Sequence, residues 1–526
     1  MMLIMRLRVE YKFRVIVRLS SHVRVRFAPS PTGLLHLGGL RTAIFNYFFA
    51  KSNLGKFILR VEDTDRKRLV AGSVSKLESS LQWAGVQIDE GPSHGGDFGP
   101  YLQSERLPLY RAQCEKLLTS GTAYRCFCDE DRLATLRVAS GSKIRGYDNF
   151  CRSLNPEEIR GNVASQKPFV IRLRLQDRIV SFTDLIFGLH ETNLANQEGD
   201  PILLKSDGYP TYHLASVVDD HFMHITHVLR GDEWLYSTSK HVQIYGALQW
   251  PLPEFAHLPV LLGSDGTKLS KRTGSVFVEQ FKEMGYDPVV LVNFICSYGG
   301  GFPEFKRDGL YSLEELSRMF DLTSCTRHPC QIDMHRLAQM NCEMLLAQNP
   351  QHLVPQLRQL VLENIHDATP SEIDEAYLLR IIALLGPSER FSTLKQLFGS
   401  EFRYLWIQPN IDAKEAMSEL SQFCSKLSVA VLQQLTMLLH KAIASSAGEL
   451  TKQSCSKILK TTAQEAGVNR PLIMRYVRYV LTGYVEGPPV QDLMMLLQSE
   501  RILQRLKYFL DILKTFDTIS ASSLEN

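Results

Sequence analysis

Between Val23 and Val61 the chain changes its periodicity three times, and that stretch constrains the fold more than any other. Val23-Arg24-Val25-Arg26-Phe27 alternates apolar and basic side chains, the two-residue period of a strand. Ala28-Pro29-Ser30-Pro31-Thr32-Gly33 follows, with two prolines and a glycine that forbid both helix and ladder pairing. From Leu37 to Lys51 a helical period returns and puts Leu40, Ile44, Tyr47 and Phe48 on one face. Phe57-Ile58-Leu59-Arg60-Val61 then reads as a second strand. This order of elements belongs to an open α/β sheet, whose ligands bind beyond the carboxyl ends of the strands. His36, Gly38 and Gly39 stand at the predicted helix start, where free backbone N–H groups and the helix dipole attract phosphate. Neither G-x-x-x-x-G-K-[ST] nor G-x-G-x-x-G occurs here, so the common phosphate-loop and dinucleotide readings fail. Glu62-Asp63-Thr64-Asp65 closes the second strand with acids. Glu62 is placed to hold an ammonium group, while Asp63 and Asp65 are read as capping or helix-dipole residues for the following helix.

The chain has 526 residues, too many for one hydrophobic core, and three or four domains are expected. Its 44% apolar and 22% charged residues exclude wholesale disorder. A formal net charge of +3 is too mild a field to bind nucleic acid unaided, so such binding must rest on local patches. Ten cysteines scattered over this length do not form a secreted disulfide framework, and no apolar run reaches the ~20 residues that span a bilayer. The expectation is a soluble, intracellular protein with no membrane contact. Residues 1–22 carry Arg6, Arg8, Lys12, Arg14 and Arg18 against the single acid Glu10. Basic and acid-poor, with arginines interrupting the apolar residues, they have the composition of an organellar transit peptide.

Far downstream, Gly266-Thr267-Lys268-Leu269-Ser270-Lys271-Arg272 is a glycine-flanked loop with three cations. Together with Pro31-Thr32-Gly33-Leu34-Leu35-His36-Leu37-Gly38 it resembles the two ATP signatures of class I aminoacyl-tRNA synthetases. His36-Leu37-Gly38-Gly39 stands where that family has H-x-G-H, and Lys268–Arg272 where it has K-M-S-K-S. Phe27-Ala28-Pro29-Ser30-Pro31-Thr32-Gly33, Val61-Glu62-Asp63-Thr64-Asp65 and Leu204-Lys205-Ser206-Asp207-Gly208-Tyr209-Pro210-Thr211-Tyr212-His213-Leu214-Ala215 narrow the likeness to glutamyl-tRNA synthetases of the bacterial and organellar type. The resemblance runs from Val23 to about Leu510.

It implies ATP with Mg²⁺ as a substrate and a reaction joining the carboxylate of L-glutamate to the α-phosphate, chemistry that calls for positioning and charge neutralisation. His36, Lys268, Ser270 and Lys271 would be the catalytic residues, and His36, Gly38, Glu233, Lys268, Leu269, Ser270, Lys271 and Arg272 the ATP site. Gly39 replaces the second motif histidine, which excludes a general acid there. The glutamate site would comprise Arg26, Phe27, Ala28, Ser30, Glu62, Tyr212, His213, Leu214, Ala215, Ser216 and Arg230. Arg26 is assigned to the side-chain carboxylate and Arg230 to the backbone one, with roles that can overlap, because a guanidinium fork grips carboxylate and meets an amide poorly.

Cys126, Cys128 and Cys151 resemble part of a zinc site, but Ser153 stands where the family has histidine, leaving Tyr147 as an unusual fourth neighbour; no bound metal is expected. His221, His224 and His227, near Asp219 and Asp220, are read as surface or packed imidazoles, and Tyr298-Gly299-Gly300-Gly301 as a helix-end turn. The expected fold is α/β: a class I Rossmann-like domain (23–103, resuming at 211–325 with a stem-contact region), an inserted α+β acceptor-end-binding domain (104–210), and an all-α anticodon-binding region (326–526), after a transit peptide (1–22). Helical spacing of Leu435, Leu438 and Leu439, and of Leu493, Leu496, Leu497, Ile502, Leu503 and Leu506, supports the last region. Arg475-Tyr476-Val477-Arg478, Leu481-Thr482-Gly483 and Pro488-Pro489 further resemble the family's end domain. The implied partner is tRNA(Glu), with tRNA(Gln) as a second where organelles amidate Glu-tRNA(Gln); the implied setting is a monomer in the mitochondrial matrix. Glutaminyl-tRNA synthetase is disfavoured by Arg26 and the helical end, a truncated tRNA-modifying paralogue by length, and a catalytically dead RNA-binding protein by His36, Lys268 and Lys271.

Overall fold

The computed structural model describes residues 22–139, 147–267, 269, 277–366, 372–386, 390–421, 428–446 and 448–522. Residues 1–21, which hold the expected transit-peptide cations, and Lys268, Ser270, Lys271 and Arg272 lie outside these. Two compact units emerge, one reaching to Glu283 and including Asp287–Leu337, the other made of Met284–Tyr286 and the chain from Ala338 onward.

In the first unit the strands are β1 (Arg24–Phe27), β2 (Lys56–Leu59), β3 (Ala123–Cys126), β4 (Val170–Leu173) and β5 (Val180–Asp184). They continue as β6 (Gly188–Thr192), β7 (Ile202–Leu204), β8 (His227–Gly231) and β9 (Glu254–Leu258). β1 and β2 pair in parallel, from Arg24 opposite Lys56 to Phe27 opposite Leu59, and α1 (Leu37–Ser52) makes the crossover between them. β8 and β9 are parallel, β9 meets β5 in parallel, and β6 returns antiparallel, giving the order β6-β5-β9-β8. The two ladders join at Thr226, whose N–H donates to the Arg24 carbonyl at 2.9 Å while Arg24 N–H donates to its hydroxyl. The carboxyl ends of β1 and β8 thereby open side by side, the place where an α/β sheet binds its ligand.

α1 buries more than the single face its periodicity marks. Phe45 is fully buried too, its ring edge-on to Phe302 and Phe320 with centroids 5.7 and 5.4 Å away. The helix is covered on a second side by the segment that follows the sheet, which only the tertiary fold supplies. β3, β4 and β7 form a separate antiparallel sheet in the inserted segment. That sheet shares one core with the parallel one: Leu173 and Leu203 pack in the same cluster as Ile58, Tyr110, Leu214, Val228 and Phe255. Asp63 does not cap the helix that follows it. Its carboxylate accepts from Ser104 N–H at 2.8 Å and Ser104 Oγ at 2.6 Å, pinning the start of a 3₁₀ turn at Gln103–Arg106. Gly299, Gly300 and Gly301 follow the helix Pro288–Cys296 and all have φ between 72° and 93°, a left-handed path that favours glycine.

The second unit is helical among its described residues, and its helix starts are written in capping side chains. Asn349, Asp374, Ser428, Thr451 and Asn469 each accept a first-turn N–H. Its core gathers Leu357, Tyr377, Trp406, Leu435, Leu439, Tyr476, Leu493, Leu497, Ile502, Leu506 and Phe509. Tyr476 is wholly buried and its hydroxyl meets Thr436 Oγ1 at 2.6 Å, so the polar tip of a large aromatic is satisfied inside the core. The final helix, Val490–Ser522, breaks at Gln498 (φ 57°), whose amide oxygen accepts from Leu450 N–H at 2.8 Å.

Candidate active site

A cavity of about 370 Å³ opens where β1, β2 and β8 end, lined by Arg26 through His36, Gly38, Gly39, Thr42, Glu62, Tyr212, Arg230, Glu233 and Trp234. Two stretches more than 130 residues apart in sequence therefore converge on one space. The Pro29–Gly33 turn forms one wall; Gly33 has φ 139° with open space where a side chain would start, so the glycine serves the backbone path.

His36 is the N-cap of α1. Its Nδ1 accepts from Gly38 N–H at 3.1 Å, and burial pulls its pKa below the usual imidazole value, against a hydrogen bond to the Leu269 backbone. The ring is therefore neutral, accepting at Nδ1 and facing the second signature loop at Leu269. The far end of that loop returns to the same place: Phe277 bridges to His36 in antiparallel pairing, Val278 N–H donates to the Leu35 carbonyl at 2.9 Å, and the Phe277 ring stands edge-on to the imidazole. The described residues on both sides of Lys271 thus meet the start of α1.

Arg26 is 3% exposed at the end of β1 and is held rigidly. Nε donates to Asp220 Oδ1 at 2.9 Å, Nη2 to Asp220 Oδ2 at 3.3 Å, and Nη1 to the Leu229 carbonyl at 3.4 Å. Arg60, with no exposed surface, donates to the same Asp220 at 2.5 Å and lies 3.3 Å from Glu62. The neighbouring Asp219 accepts from Arg106, Gln103 and Tyr110 at 2.7–2.8 Å. Two buried aspartates on the helix Tyr212–Phe222 therefore organise three arginines, a network that sequence reading missed because its members are scattered over the chain. Arg60, buried between Leu59 and Val61, was the available signal: a cation inside an apolar strand needs an acid. Burial raises the Glu62 carboxyl to about 7, against the pull of Arg60 and Arg26.

Arg230 Nη1 donates to the Tyr212 hydroxyl at 2.9 Å, and the Tyr212 ring packs on Trp234 with centroids 4.0 Å apart. Glu233 also lines the cavity, and its carboxylate lies over Gly231, where a Cβ would clash with it. Of the other expected glutamate residues, Phe27, Ala28 and Ser30 line the cavity. His213 opens instead onto a neighbouring cavity with Arg172 and Glu198, its Nδ1 3.1 Å from His241 Nε2. Leu214 and Ala215 are fully buried in the core cluster, while Ser216, one helical turn after Tyr212 and so on its face, is fully buried with its Oγ unpartnered. Leu269 is the one described member of the second signature.

The Sγ atoms of Cys126, Cys128 and Cys151 lie within 4.8 Å of one another, the only such group among the described residues. Tyr147 Oη approaches Cys126 Sγ at 3.3 Å and Cys128 Sγ at 3.8 Å and accepts from Cys151 N–H at 2.7 Å. Three thiols are one ligand short of a closed structural zinc set, and the phenol in fourth place is already engaged by its neighbours. The three histidines line one cavity but each packs on its own aromatic partner: His221 stacks on Trp250 at 3.8 Å, His224 packs on Phe98, and His227 on Phe49.

Residues 22–339 match the family model for tRNA synthetases class I (E and Q), catalytic domain, and residues 351–510 match the anticodon binding domain model. The chain is 37% identical to the glutamate–tRNA ligase of Finegoldia magna over 501 residues, covering 92% of this chain and 99% of that one. It is 36% identical to the glutamate–tRNA ligase of Chloroherpeton thalassium over 512 residues, 93% and 98% of the two chains. The chain belongs to the glutamyl-tRNA synthetase family. Among solved structures it resembles the glutamate tRNA ligase of Elizabethkingia meningosepticum in complex with its amino acid, with a TM-score of 0.74 and 32% identity over 94% of this chain and all of that one. Membership makes the chain an aminoacyl-tRNA synthetase, a ligase that consumes ATP with Mg²⁺, with a class I catalytic fold and a helical anticodon-binding domain. No helix among the described residues is long and apolar enough to cross a membrane.

Proposed function

We propose that this chain activates L-glutamate as glutamyl-adenylate and transfers it to the terminal adenosine of tRNA(Glu). The observation that carries the reading is the single cleft holding a neutral N-cap histidine at a helix start, two arginines and a buried carboxyl. Glutamate brings two carboxylates and one ammonium, and this set of groups complements each. Arg26 pairs with the side-chain carboxylate, Arg230 with the backbone carboxylate, and Glu62 in its ionised form with the ammonium. A guanidinium that has no acceptor to offer an amide N–H disfavours glutamine.

ATP lies with its phosphates at the start of α1, where His36 and the N–H groups of the first turn receive them, and Glu233 and Gly38 border the nucleotide. Lys268 and Lys271 neutralise the departing pyrophosphate, with Ser270 as a donor and Arg272 beside them. The reacting carboxylate oxygen attacks the α-phosphate with no protein nucleophile, so rate enhancement comes from alignment and charge. Support for the second loop in this role is the meeting of Leu269 and Phe277 with His36.

The setting we propose is the mitochondrial matrix, supported by the basic, acid-poor residues 1–22, with tRNA(Gln) as a second substrate where glutamine is made on the tRNA. The test is charging of purified tRNA(Glu) and tRNA(Gln) with labelled glutamate or glutamine. Glutamyl ester on tRNA(Glu) is expected; glutaminyl ester formed at a comparable rate would refute the pocket assignment, and imaging of the tagged full chain outside mitochondria would refute the compartment.

A further inference from the structure

Arg230 is gripped from behind by a chain of buried groups. Its Nε–H donates to His257 Nε2 at 3.1 Å, and His257 Nδ1 lies 2.6 Å from Asp184 Oδ2. His257 and Thr238 have no exposed surface, Asp184 has 1% and Arg230 5%. The proton positions follow by elimination. A guanidinium has no acceptor, so His257 Nε2 must present its lone pair to Arg230. A neutral ring then carries its proton on Nδ1, facing the carboxylate. Burial lowers the His257 pKa to about 4, only partly opposed by Asp184, so the ring is neutral. Thr238 Oγ1 also lies 3.2 Å from His257 Nε2 while accepting from Arg230 Nη2 at 2.7 Å; whether its proton turns to the ring or to the Trp234 carbonyl, the Nε2 lone pair still faces Arg230 Nε–H. Asp184 is itself immobilised, because its Oδ1 accepts the backbone N–H groups of Ile186, Phe187 and His257 at 3.0, 2.9 and 3.3 Å.

We propose that Asp184 and His257 are positioning residues that fix the tautomer behind Arg230 and so aim its guanidinium at the backbone carboxylate of glutamate, an inference that rests on the glutamate reading of the cleft. The chain runs acid, imidazole, guanidinium across β5, β9 and β8, three strands whose pairing sets its spacing. It also gives Arg230 a buried counter-charge one ring away, so the cation is compensated without a carboxylate occupying the substrate's place.

Asp184→Asn tests the tautomer. The three backbone N–H groups hold the amide oxygen at the Oδ1 position, which turns the NH₂ toward His257 Nδ1. The ring must then accept at Nδ1 and carry its proton on Nε2, head-on to Arg230 Nε–H. Long-range ¹H–¹⁵N correlation should find the His257 proton on Nδ1 in the wild type and on Nε2 in the variant. In tRNA charging, the glutamate KM should rise about 10–100-fold, the range that losing a carboxylate behind a functional imidazole brings at metal sites, with the ATP KM unchanged. A wild-type proton on Nε2, or an unchanged glutamate KM in a folded Asp184→Asn protein, would overturn the proposal. Should that variant not fold, His257→Gln, which keeps an acceptor opposite Arg230 Nε, should retain a glutamate KM at least tenfold below that of His257→Leu; equal values would overturn it. A wild-type protein that charges no glutamate would sink the glutamate reading itself, a failure separable from this one because the ring tautomer is read without substrate.

Discussion

Glutamate should bind with a pH dependence set by one carboxyl. Glu62, its side chain 9% exposed, stands beside Arg60, and its pKa is raised to about 7 because burial outweighs Arg60 and Arg26. An ammonium group needs the ionised form. With a pKa of about 7, roughly 90% of Glu62 is ionised at pH 8 and roughly 10% at pH 6, so the glutamate dissociation constant should be about tenfold higher at pH 6, a difference of about 1.4 kcal/mol. The sign follows from linkage: binding favours the carboxylate, lowers its pKa and releases a proton, about half a proton per site near pH 7. Among the neighbouring groups Asp219 is also raised by burial, but its carboxylate faces Arg106, Gln103 and Tyr110 and is not among the residues lining the cavity. Asp220 is held below the usual carboxylate range despite its burial, through Arg26 and Arg60, and burial lowers His36 while it raises Tyr212. Calorimetric titration of glutamate at pH 6, 7 and 8, in two buffers of different ionisation enthalpy, measures both affinity and proton release. A dissociation constant unchanged across that range, or the same slope in Glu62→Gln, would refute the reasoning.

Three further outcomes are expected. Arg26→Ala should raise the glutamate KM at least about 30-fold and erode discrimination against glutamine, because truncating a buried charge partner costs about 2–5 kcal/mol; charging kinetics with both amino acids check it. Asp220→Ala strips Arg26 and Arg60 of their shared acid. That leaves two buried cations and should cost about 3–5 kcal/mol, a fall in melting temperature of roughly 6–20 °C by calorimetry. Lys271→Ala should lose adenylate formation, read as pyrophosphate exchange with tRNA(Glu) present, while tRNA binding by filter retention is kept; wild-type exchange rates would remove Lys271 from the chemistry.

The architecture was legible because local rules and tertiary structure agree there. The proline–glycine turn after Phe27, the restart of helical period at Leu37 and the apolar second strand each dictate their own element, and a βα unit places its ligand face without further information. Arg26, Glu62, Tyr212 and Arg230 could be named from the family resemblance, and they share the cavity. The run Tyr212 to Ser216 shows where that logic stops. Successive helical residues turn by about 100°, so a contiguous run cannot face one cleft: Tyr212 lines it, His213 opens elsewhere, Leu214 and Ala215 enter the core, and only Ser216, one turn on, comes back to the Tyr212 face. The acids that hold the arginines were hidden for a different reason. Asp219 and Asp220 sit beside histidines in sequence, yet their partners are Arg26, Arg60 and Arg106, distant along the chain and joined only by the fold. Asp63 likewise sits where a helix cap belongs and spends its carboxylate on Ser104.

The most direct test of the central claim is glutamate-dependent exchange of labelled pyrophosphate into ATP by the full chain, with Mg²⁺ and tRNA(Glu) present. Exchange that needs glutamate and is not supported by glutamine is the predicted result. Exchange that proceeds equally with glutamine, or none with either amino acid, would contradict a cleft that joins glutamate to ATP.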